Sequence, residues 1–498
     1  MMSKAILFAA GYVDPNGIET CNTQFMSKMQ DKGLTVGAIV PLHRLNGDAS
    51  EGANGRILAV IEVAMPYRTV QTVIRRTERS GIPFYWIDAP TYFDRPNRFG
   101  ELDDAERYLF WCKAVVQALP ALDMMPDLIH CQDWPSAFIP FLLAHRYRSI
   151  TAYKAIRTMY TFHSIGNQGI FDQENCWNAG LFIEELQEFG LDYYEQLNFM
   201  QAGLRYADAI TTVSPQYARE IATEMCGMTM EQLIADKQEQ LYGIVNGIDH
   251  ETFDPATDQQ IAANYKVDHL AGKSMNKAAL QLELGLPQRA DVPVLLFHSA
   301  FSSEKGADML RYGLPDLLKS DLQLIVLHAG PDSCGFEEAP FARFFAEAAQ
   351  SNESKFRFHP YDAKRKRRLF AGADMLLMPS ASEPCGFEQQ LAMRYGTVPI
   401  VRSVGGLADT VIPYSENPAD ATGFAFHYAN EKVMLHAVRQ AIGLYNSKEQ
   451  WEKLIRNGMK RHYSIDDTVD AYWNVYRKLI GDSIGMAASS HGNEGYQR

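Results

Sequence analysis

The sequence of 498 residues lacks several features that mark common protein classes. It has no apolar run long enough for a membrane-spanning helix, and its start, MMSKAILFAAGYVDP, has neither the flanks nor the cleavage pattern of a signal peptide. Its seven cysteines are an odd number without close pairs, unlike a disulfide framework or a zinc site. We therefore expect a soluble protein of the reducing cytoplasm, with no membrane partner.

Positive charge is also scarce. The formal net charge is -13, whereas proteins that bind nucleic acid usually present a basic surface, so a nucleic-acid partner is not expected. A run of five cations, Lys364–Arg368, begins an amphipathic helical pattern, and we interpret it as a solvated helix face. No Gly-x-Gly-x-x-Gly follows the first apolar run and no His-Glu-x-x-His occurs, which argues against a dehydrogenase and a metalloenzyme.

Short apolar runs rich in β-branched residues alternate with longer helical stretches. The runs are AILFAA, TVGAIVPL, ILAVIEV, PFYWIDA, LIHC, RTMYTFH and AITTV in the first half, then VPVLLFHSA, LQLIVLHAG, KFRFHPY, DMLLMPS and TVPIVRS. This alternation predicts parallel sheets with helical crossovers. Because the chain is too long for one core and the pattern pauses in a polar segment near 250–285, we predict two α/β domains in series.

Ligands of open α/β sheets bind beyond the carboxyl ends of the strands, so polar residues directly after these runs are candidate site residues. They are Gln132, Asp133 and Trp134 after LIHC, His163 after MYTF, Asn246 and Gly247 after LYGIV, Lys305 and Gly306 after LLFHS, and Glu383 to Gly386 after LLMPS. Each also has a structural interpretation when taken singly, such as a helix cap for Asp133 or a buried core imidazole for His163.

The stretch SASEPCGFEQQLAMRYGTVPIVRSVGGLADTV is the most informative. In it the carboxylate Glu383 precedes Gly386 and a predicted helix, and a predicted strand then leads to Gly405 and Gly406. The free amides and positive dipole charge of a helix N-terminus can hold a diphosphate. One glycine would indicate only a tight turn, but the whole stretch indicates a phosphate site.

Extended by Pro379 at its start, this stretch resembles the signature around the catalytic Glu of bacterial glycogen synthases and plant starch synthases. It then reads PSASEPCGFEQQLAMRYGTVPIVRSVGGLADTV. HCQDWPSAFIPFLL, YTFHSIGNQGIF, GLRYADAITTVSPQYAREI, LYGIVNGIDHETFDPATD and YSIDDTVDAYWNVYRKLIG follow the same family's order over roughly residues 4 to 480. The resemblance implies the α/β GT-B fold, with two Rossmann-like domains whose parallel sheets face a cleft. It implies transfer of glucose from ADP-glucose or UDP-glucose to an α-1,4-glucan with retention, without metal or cofactor.

On this fold we predict an acceptor-side N-terminal domain at 1–250, a linker region at 251–285 and a nucleotide-sugar-binding domain at 286–464. A C-terminal helix at 465–483 is expected to pack back towards the N-terminal domain, and a mobile tail is expected at 484–498. The oligomeric state is not predicted.

The resemblance also assigns roles by position. It gives Glu383, Asp133 and His163 as the catalytic residues: Glu383 would face the donor sugar, and Asp133 and His163 would line the sugar site. Asn246, Lys305, Tyr361, Cys385 and Gly386 would bind the donor: Asn246 helps to hold the sugar, Lys305 the diphosphate, and Tyr361 stacks on the nucleobase. Carboxylates suit the positive charge that develops on the sugar, and cations suit the leaving diphosphate.

Two positions depart from the family pattern. The first loop, GYVDPNGIETC, offers Asp14 and Gly17 where the family has Lys-x-Gly-Gly-Leu, and Ala300 stands where the family has an Arg five residues before Lys305. Three hypotheses follow: an active α-glucan synthase with a rebuilt phosphate site, a retaining GT-B enzyme with another donor or acceptor, and a weak or inactive homologue that binds glucan or a partner synthase.

Overall fold

The computed structural model describes residues 4–12, 23–44, 49–328, 339–359 and 365–481. The chain forms two compact units. Unit 1 comprises 1–162, 167–210 and 469–498, and unit 2 comprises 163–166 and 211–468. The predicted domain limits stay predictions, and the predicted tail at 484–498 lies outside the described residues.

Unit 1 is built on a mixed sheet with helices around it. Its strands are β1 (Ala5–Ala10), β2 (Thr35–Pro41), β3 (Arg56–Met65), β4 (Arg68–Arg79), β5 (Ile82–Asp88), β6 (Leu128–Gln132), β7 (Arg157–Phe162), β8 (Ile170–Asp172), β9 (Asp192–Tyr193), β10 (Gln196–Asn198) and β11 (Ala209–Thr212), whose last two residues belong to unit 2. Its helices are α1 (Thr23–Asp31), α2 (Ala49–Ala53), α3 (Pro90–Phe93), α4 (Asp104–Ala118), α5 (Asp133–Ser136), α6 (Phe138–Phe141), α7 (Ile183–Glu188) and α8 (Phe199–Tyr206).

The main sheet of unit 1 runs in the order β11-β7-β6-β1-β2-β5-β4-β3. The pairs β7-β6, β6-β1, β1-β2 and β2-β5 are parallel, as their buried apolar runs predict. The strand order reverses between β1 and β6, so the loops that follow these two strands leave the sheet side by side. Such a switch point is where open α/β sheets bind ligands.

One predicted strand of unit 1 pairs differently from the prediction. ILAVIEV lies in β3, which is antiparallel to β4, and β4 is antiparallel to β5. Only Pro66 and Tyr67 separate β3 from β4. A connection between parallel strands needs a dozen or more residues, so a turn of two residues can only join antiparallel strands in a hairpin. The parallel prediction is therefore wrong for this run.

The core of unit 1 includes a buried polar contact. His130 of β6 is fully buried, with its Nδ1 2.7 Å from the hydroxyl of Tyr476 and its Nε2 close to Thr161. Tyr476 lies in the part of α19 (Ile465–Ile480) that belongs to unit 1, and Tyr472 one turn earlier packs edge-on against Phe25. Aromatic side chains with hydrogen-bonded polar groups thus join this helix segment to α1 and β6.

Unit 2 repeats the α/β architecture. After α9 (Pro215–Glu220), α10 (Glu231–Asp236) and β12 (Leu241–Gly243) come α11 (Ala271–Glu283), β13 (Val294–Ser299), α12 (Ala307–Leu317), β14 (Gln323–His328), α13 (Ala339–Gln350), β15 (Phe356–His359), α14 (Lys366–Gly372), β16 (Met375–Met378), α15 (Glu388–Arg394), β17 (Val398–Arg402), α16 (Gly405–Thr410), β18 (Phe424–Phe426), α17 (Glu431–Tyr445), α18 (Lys448–Met459) and the start of α19.

The six-stranded sheet of unit 2 is parallel throughout, in the order β15-β14-β13-β16-β17-β18. Counted from its first strand this is the order 3-2-1-4-5-6 of a Rossmann-like domain, with the switch point between β13 and β16. The strands predicted from VPVLLFHSA to TVPIVRS are all present. The predicted α/β class with two Rossmann-like domains is confirmed.

No helix within the described ranges is long and apolar enough to cross a membrane. The cysteines that the structure describes are free thiols: Cys112, Cys131, Cys176, Cys226 and Cys385. In the same part of the chain no group of three or more His, Cys, Asp or Glu side chains could hold a metal ion. The cytoplasmic location stays a prediction.

The cation run is anchored to carboxylates of unit 2. Among its described members, Arg365 and Arg368 lie 3.2 and 3.4 Å from Glu283, Arg367 lies 3.5 Å from Asp258, and Lys366 lies 2.9 Å from Glu388. These ion pairs differ from the free solvated face that we expected. They give the run a structural role in holding α14 against its neighbours.

The pairing of Glu388 predicts a pH-dependent stability. Burial raises the pKa of Glu388, but the charge of Lys366 and contact with His298 outweigh it, and the pKa falls from 4.5 to about 2. Since the folded-state pKa is depressed, the stabilisation is present above the unfolded pKa of 4.5 and is lost as the pH falls through about 2. We expect Glu388→Gln to lower the free energy of unfolding by about 3 kcal/mol at pH 7, and by less as the pH falls below 4.5.

The measurement is urea unfolding at several pH values. Glu347→Gln is the matched control, because Glu347 forms an exposed pair with Arg343 on the surface of α13 and should leave stability unchanged. A Glu388→Gln effect that stays constant from pH 7 to pH 3 would contradict this account.

Candidate active site

Two loops meet at the switch point of unit 2. The loop after β13 carries Lys305 and ends at Gly306, the first residue before α12, and the loop after β16 carries Glu383. Gly306 has a φ of +75°, and a Cβ there would lie 2.4 Å from the carbonyl oxygen of Pro379. The two loops are thus in direct backbone contact, which explains the glycine beside Lys305.

Glu383 is held by both carboxylate oxygens. Its Oε1 accepts a hydrogen bond of 2.8 Å from the ammonium of Lys305, and its Oε2 accepts one of 2.9 Å from the hydroxyl of Ser380. Glu383 is 12% exposed and Ser380 is buried, so the carboxylate faces little water. The structure brings together the predicted catalytic carboxylate and the predicted phosphate-binding cation, and adds Ser380, which the sequence did not single out.

The glycine pair before α16 packs on the Glu383 loop. A Cβ at Gly405 would lie 2.1 Å from the carbonyl oxygen of Glu383, and one at Gly406 would lie 1.6 Å from that of Cys385. The amide of Gly406 donates to the Glu383 carbonyl at 3.0 Å, and the amide of Gly405 donates to the Glu220 carboxylate at 3.0 and 3.1 Å. Both amides that the sequence suggested for phosphate are therefore engaged, and close packing explains why glycine is needed.

Asn246 lies beside the helix that follows Gly386. Gln390 donates to the carbonyl oxygens of Asn246 at 2.9 Å and of Gly386 at 3.3 Å. The side-chain Oδ1 of Asn246 is buried and has no hydrogen-bond partner among the described residues. It is therefore a hydrogen-bond acceptor that a ligand could use. Gly386 has a φ of +65° and Gln389 donates to its carbonyl at 3.0 Å, which fixes the turn into α15.

Cys385 is a neutral thiol at this turn. Burial raises the pKa of Cys385 from 9 to about 12, and the nearby carboxylate of Glu383 acts in the same direction. A thiol with such a pKa is a weak nucleophile at neutral pH, so Cys385 is suited to packing and to weak hydrogen bonding.

His163 directly follows β7 and belongs to unit 2. Two residues later the amide of Ile165 donates to the hydroxyl of Tyr217 in α9 at 2.9 Å. Burial raises the pKa of Tyr217 to about 12, so its hydroxyl stays protonated at neutral pH. The turn that carries His163 is thus fixed through α9.

Asp133 lies at the switch point of unit 1, directly after β6. Its φ of +54° is left-handed, which is uncommon for a residue with a side chain and is typical of constrained sites. Ser136 donates to the carbonyl oxygens of Gln132 at 2.8 Å and Asp133 at 3.1 Å, which holds this turn. The indole of the next residue, Trp134, packs directly on the backbone of Gly169. A Cβ at Gly169 would lie 2.7 Å from this ring.

The remaining predicted site residues fall in two groups. Asp14, Gly17 and Tyr361 lie outside the described residues. Ala300 directly follows β13, and its side chain is only a methyl group.

Arg394 and Arg402 lie within the stretch that resembles the family signature, and both are engaged in unit 2. Arg402 donates to the carbonyl oxygens of Ala381 at 2.7 Å and His427 at 3.1 Å. Arg394 pairs with Asp254 at 3.1 Å, so it has a structural role.

The close packing of Gly406 makes a direct prediction. Gly406→Ala would force the Glu383 loop and α16 apart, so we expect a loss of more than about 3 kcal/mol in stability, or failure to fold. Gly443→Ala is the matched control: Gly443 lies in α17 with nothing within 4 Å of its added Cβ, and alanine should be neutral or stabilising there. Thermal unfolding of the two variants measures the difference, and equal melting temperatures would contradict the packing described.

Comparison with known proteins shows which family the chain belongs to. A family model described as "Starch synthase catalytic domain" matches residues 21–236, and one described as "Glycosyl transferases group 1" matches residues 285–461. Glycogen synthase of Clostridioides difficile is 37% identical over 427 residues, covering 85% of this chain and 88% of the relative. Glycogen synthase of Clostridium novyi is 35% identical over 482 residues, covering 95% and 99%.

A solved structure extends the likeness to the fold. The catalytic domain of starch synthase IV from Arabidopsis thaliana, bound to ADP and acarbose, superposes with a TM-score of 0.84 at 26% identity and covers 96% of this chain and 99% of its own. The matches extend over most of the chain and include both units. The chain therefore belongs to the glycogen synthase and starch synthase family of retaining GT-B glucosyltransferases.

Proposed function

We propose that the chain transfers glucose from ADP-glucose to the non-reducing end of an α-1,4-glucan. The observation that carries this proposal is the Lys305–Glu383 pair at the switch point of unit 2. The Arabidopsis structure with ADP and acarbose supports an adenine nucleotide and a glucan-like acceptor. UDP-glucose is the alternative donor, and the reaction as proposed needs no metal and no cofactor.

The ion pair suggests how charge moves in the reaction. The ammonium of Lys305 is paired with the carboxylate of Glu383. When the donor binds, its diphosphate competes for this ammonium, and the carboxylate is left to face the sugar. As the glycosidic bond to phosphate breaks, the sugar becomes oxocarbenium-like and the diphosphate gains negative charge. The carboxylate of Glu383 would stabilise the positive charge on the sugar, and the ammonium of Lys305 would stabilise the negative charge on the diphosphate.

Several other residues complete the proposed site. The free Oδ1 of Asn246 supplies an acceptor for a sugar hydroxyl, and Gly386 lets the backbone approach the donor. By position in the family pattern, Asp133 and His163 would contact the sugar, Cys385 would pack beneath the donor, and Tyr361, outside the described residues, would stack on the nucleobase. Ser380 positions Glu383 by donating to the oxygen that Lys305 does not hold.

Ala300 predicts a slow enzyme. A cation at this position would share the charge of the leaving diphosphate with Lys305, and by analogy with arginine fingers such a group contributes a factor of about a thousand, or ~4 kcal/mol of barrier. Arg394 is paired with Asp254, and Arg402 donates to backbone carbonyl oxygens that include Ala381 of the Glu383 loop, so both guanidinium groups are already engaged.

We expect wild-type protein to release nucleoside diphosphate from ADP-glucose in a glycogen-dependent manner, and Glu383→Ala to abolish this release. Ala300→Arg should raise kcat because it restores a cation near the diphosphate. Glu416→Ala, which removes an exposed carboxylate of the same unit, is the control and should leave the rate unchanged.

The same assay separates the competing functions. Turnover of UDP-glucose alone would correct the donor, and turnover without dependence on any glucan would point to another acceptor. No turnover in wild type with activity in Ala300→Arg would identify a silenced enzyme, and full activity in Glu383→Ala would overturn the proposed role of Glu383.

A further inference from the structure

A cavity of about 840 Å³ lies within unit 2, and its described lining does not include Lys305 or Glu383. Helices α11 and α18 each contribute one face to its wall, because residues three or four apart on a helix share a side. These faces present Ser274, Ala278 and Gln281 from α11, and Lys448, Trp451 and Ile455 from α18. Pockets that bind small molecules measure about 300–1,000 Å³, so the cavity has room for such a ligand.

Trp451 places a hydrogen-bond donor without a partner in this wall. Its side chain is 5% exposed, and its indole Nε1 is buried with no hydrogen-bond partner among the described residues. The indole nitrogen can only donate, so it needs an acceptor. Because buried donors in proteins are nearly always paired with protein, water or ligand, this one points to a ligand that carries an acceptor atom.

The start of α18 adds positive charge at the same cavity. Its N-cap residue, Ser447, makes no side-chain capping hydrogen bond, so the first-turn amides and the positive end of the helix dipole remain for an anion. Lys448, the exposed first residue of the helix, adds a full positive charge and lines the cavity, whereas Glu449 of the same turn is not among the described lining residues. The dipole and Lys448 repel each other, and an anion between them would relieve this repulsion.

The carboxylates in the cavity wall are already paired with cations. Asp374 lies 2.8 Å from Lys277, Glu452 lies 3.2 Å from Arg456, and Asp291 lies 2.6 Å from Arg289. These carboxylates therefore do not offset the charge of Lys448 and the helix start. In a chain with a net charge of -13, this local positive charge selects for an anionic ligand.

The rest of the wall includes apolar surface. The rings of Trp451 and Tyr445 pack edge to face, with centroids 5.3 Å apart and planes inclined by 73°. Ile455 and Ala278 also line the cavity. A ligand that fills this space thus needs an apolar body as well as a charged group.

We propose that the cavity between α11 and α18 is a binding site for a small organic anion. Its phosphate or carboxylate group would bind at the start of α18 beside Lys448, and an acceptor atom would take the N–H of Trp451. Its apolar body would pack against Tyr445 and Ile455. The inference does not depend on the proposed function, which assigns no ligand to this part of unit 2.

The test is equilibrium dialysis of the full-length protein against three probes, without any sugar nucleotide. Phenyl phosphate and benzoate carry the two kinds of oxyanion on the same apolar ring, and inorganic phosphate has no apolar body. Trp451→Phe removes the N–H and keeps an aromatic ring, and Lys448→Gln removes the charge at an exposed position. Lys453→Gln is the matched control, because Lys453 is an exposed lysine of α18 that is not among the described lining residues.

We expect phenyl phosphate or benzoate to bind the wild type with a dissociation constant of about 1 mM or below, and phenyl phosphate to bind more tightly than inorganic phosphate. Trp451→Phe and Lys448→Gln should each weaken binding about fivefold, because each removes one polar contact. Lys453→Gln should bind like wild type. If Trp451→Phe folds poorly, Lys448→Gln decides the test, since its side chain is exposed.

The tighter of the two ring-bearing probes identifies the oxyanion that the site prefers, and either choice supports the proposal. Absence of binding by both probes, equal affinity for phenyl phosphate and inorganic phosphate, or an equal loss in Lys453→Gln would overturn it. Unchanged affinity in both Trp451→Phe and Lys448→Gln would do the same. Binding that disappears in Lys305→Gln would assign the probe to the catalytic site and also overturn the inference.

Discussion

The reversal of strand order between β13 and β16 is the constraint on which the site of unit 2 depends. Because these adjacent parallel strands send their chains to opposite sides of the sheet, the loops after them leave a crevice at their carboxyl ends. The loop after β13 supplies Lys305 and the loop after β16 supplies Glu383, and close packing of Gly306 on Pro379 fixes the separation of the loops. The ion pair is a consequence of this topology.

The ion pair also has an energetic logic. Glu383 is largely removed from water, and a buried carboxylate without a partner is costly, so the contacts with Lys305 and Ser380 stabilise it. A diphosphate offers Lys305 a stronger partner, which couples donor binding to release of the carboxylate. With alanine at position 300, Lys305 would carry this exchange without a second cation there, and the site is expected to be slow rather than misfolded.

The sequence predicted much of this arrangement because the relevant signals are local. Buried apolar runs followed by polar residues gave the strands and the loops of Asp133, His163, Lys305 and Glu383. The hairpin of β3 and β4 was missed because an apolar run does not reveal the direction of its partner strand. The engagement of the Gly405 amide by Glu220 was missed because the two residues are 185 positions apart, and no local pattern encodes such a contact.

The central claim is that Lys305 exchanges the Glu383 carboxylate for the diphosphate of the donor. A crystal structure with the nucleoside diphosphate that the enzyme releases would test it most directly. The account predicts the ammonium of Lys305 within hydrogen-bond distance of a phosphate oxygen, and more than 4 Å from Glu383, beyond ion-pair contact. A Lys305–Glu383 pair that stays intact, with the phosphates bound elsewhere, would contradict it.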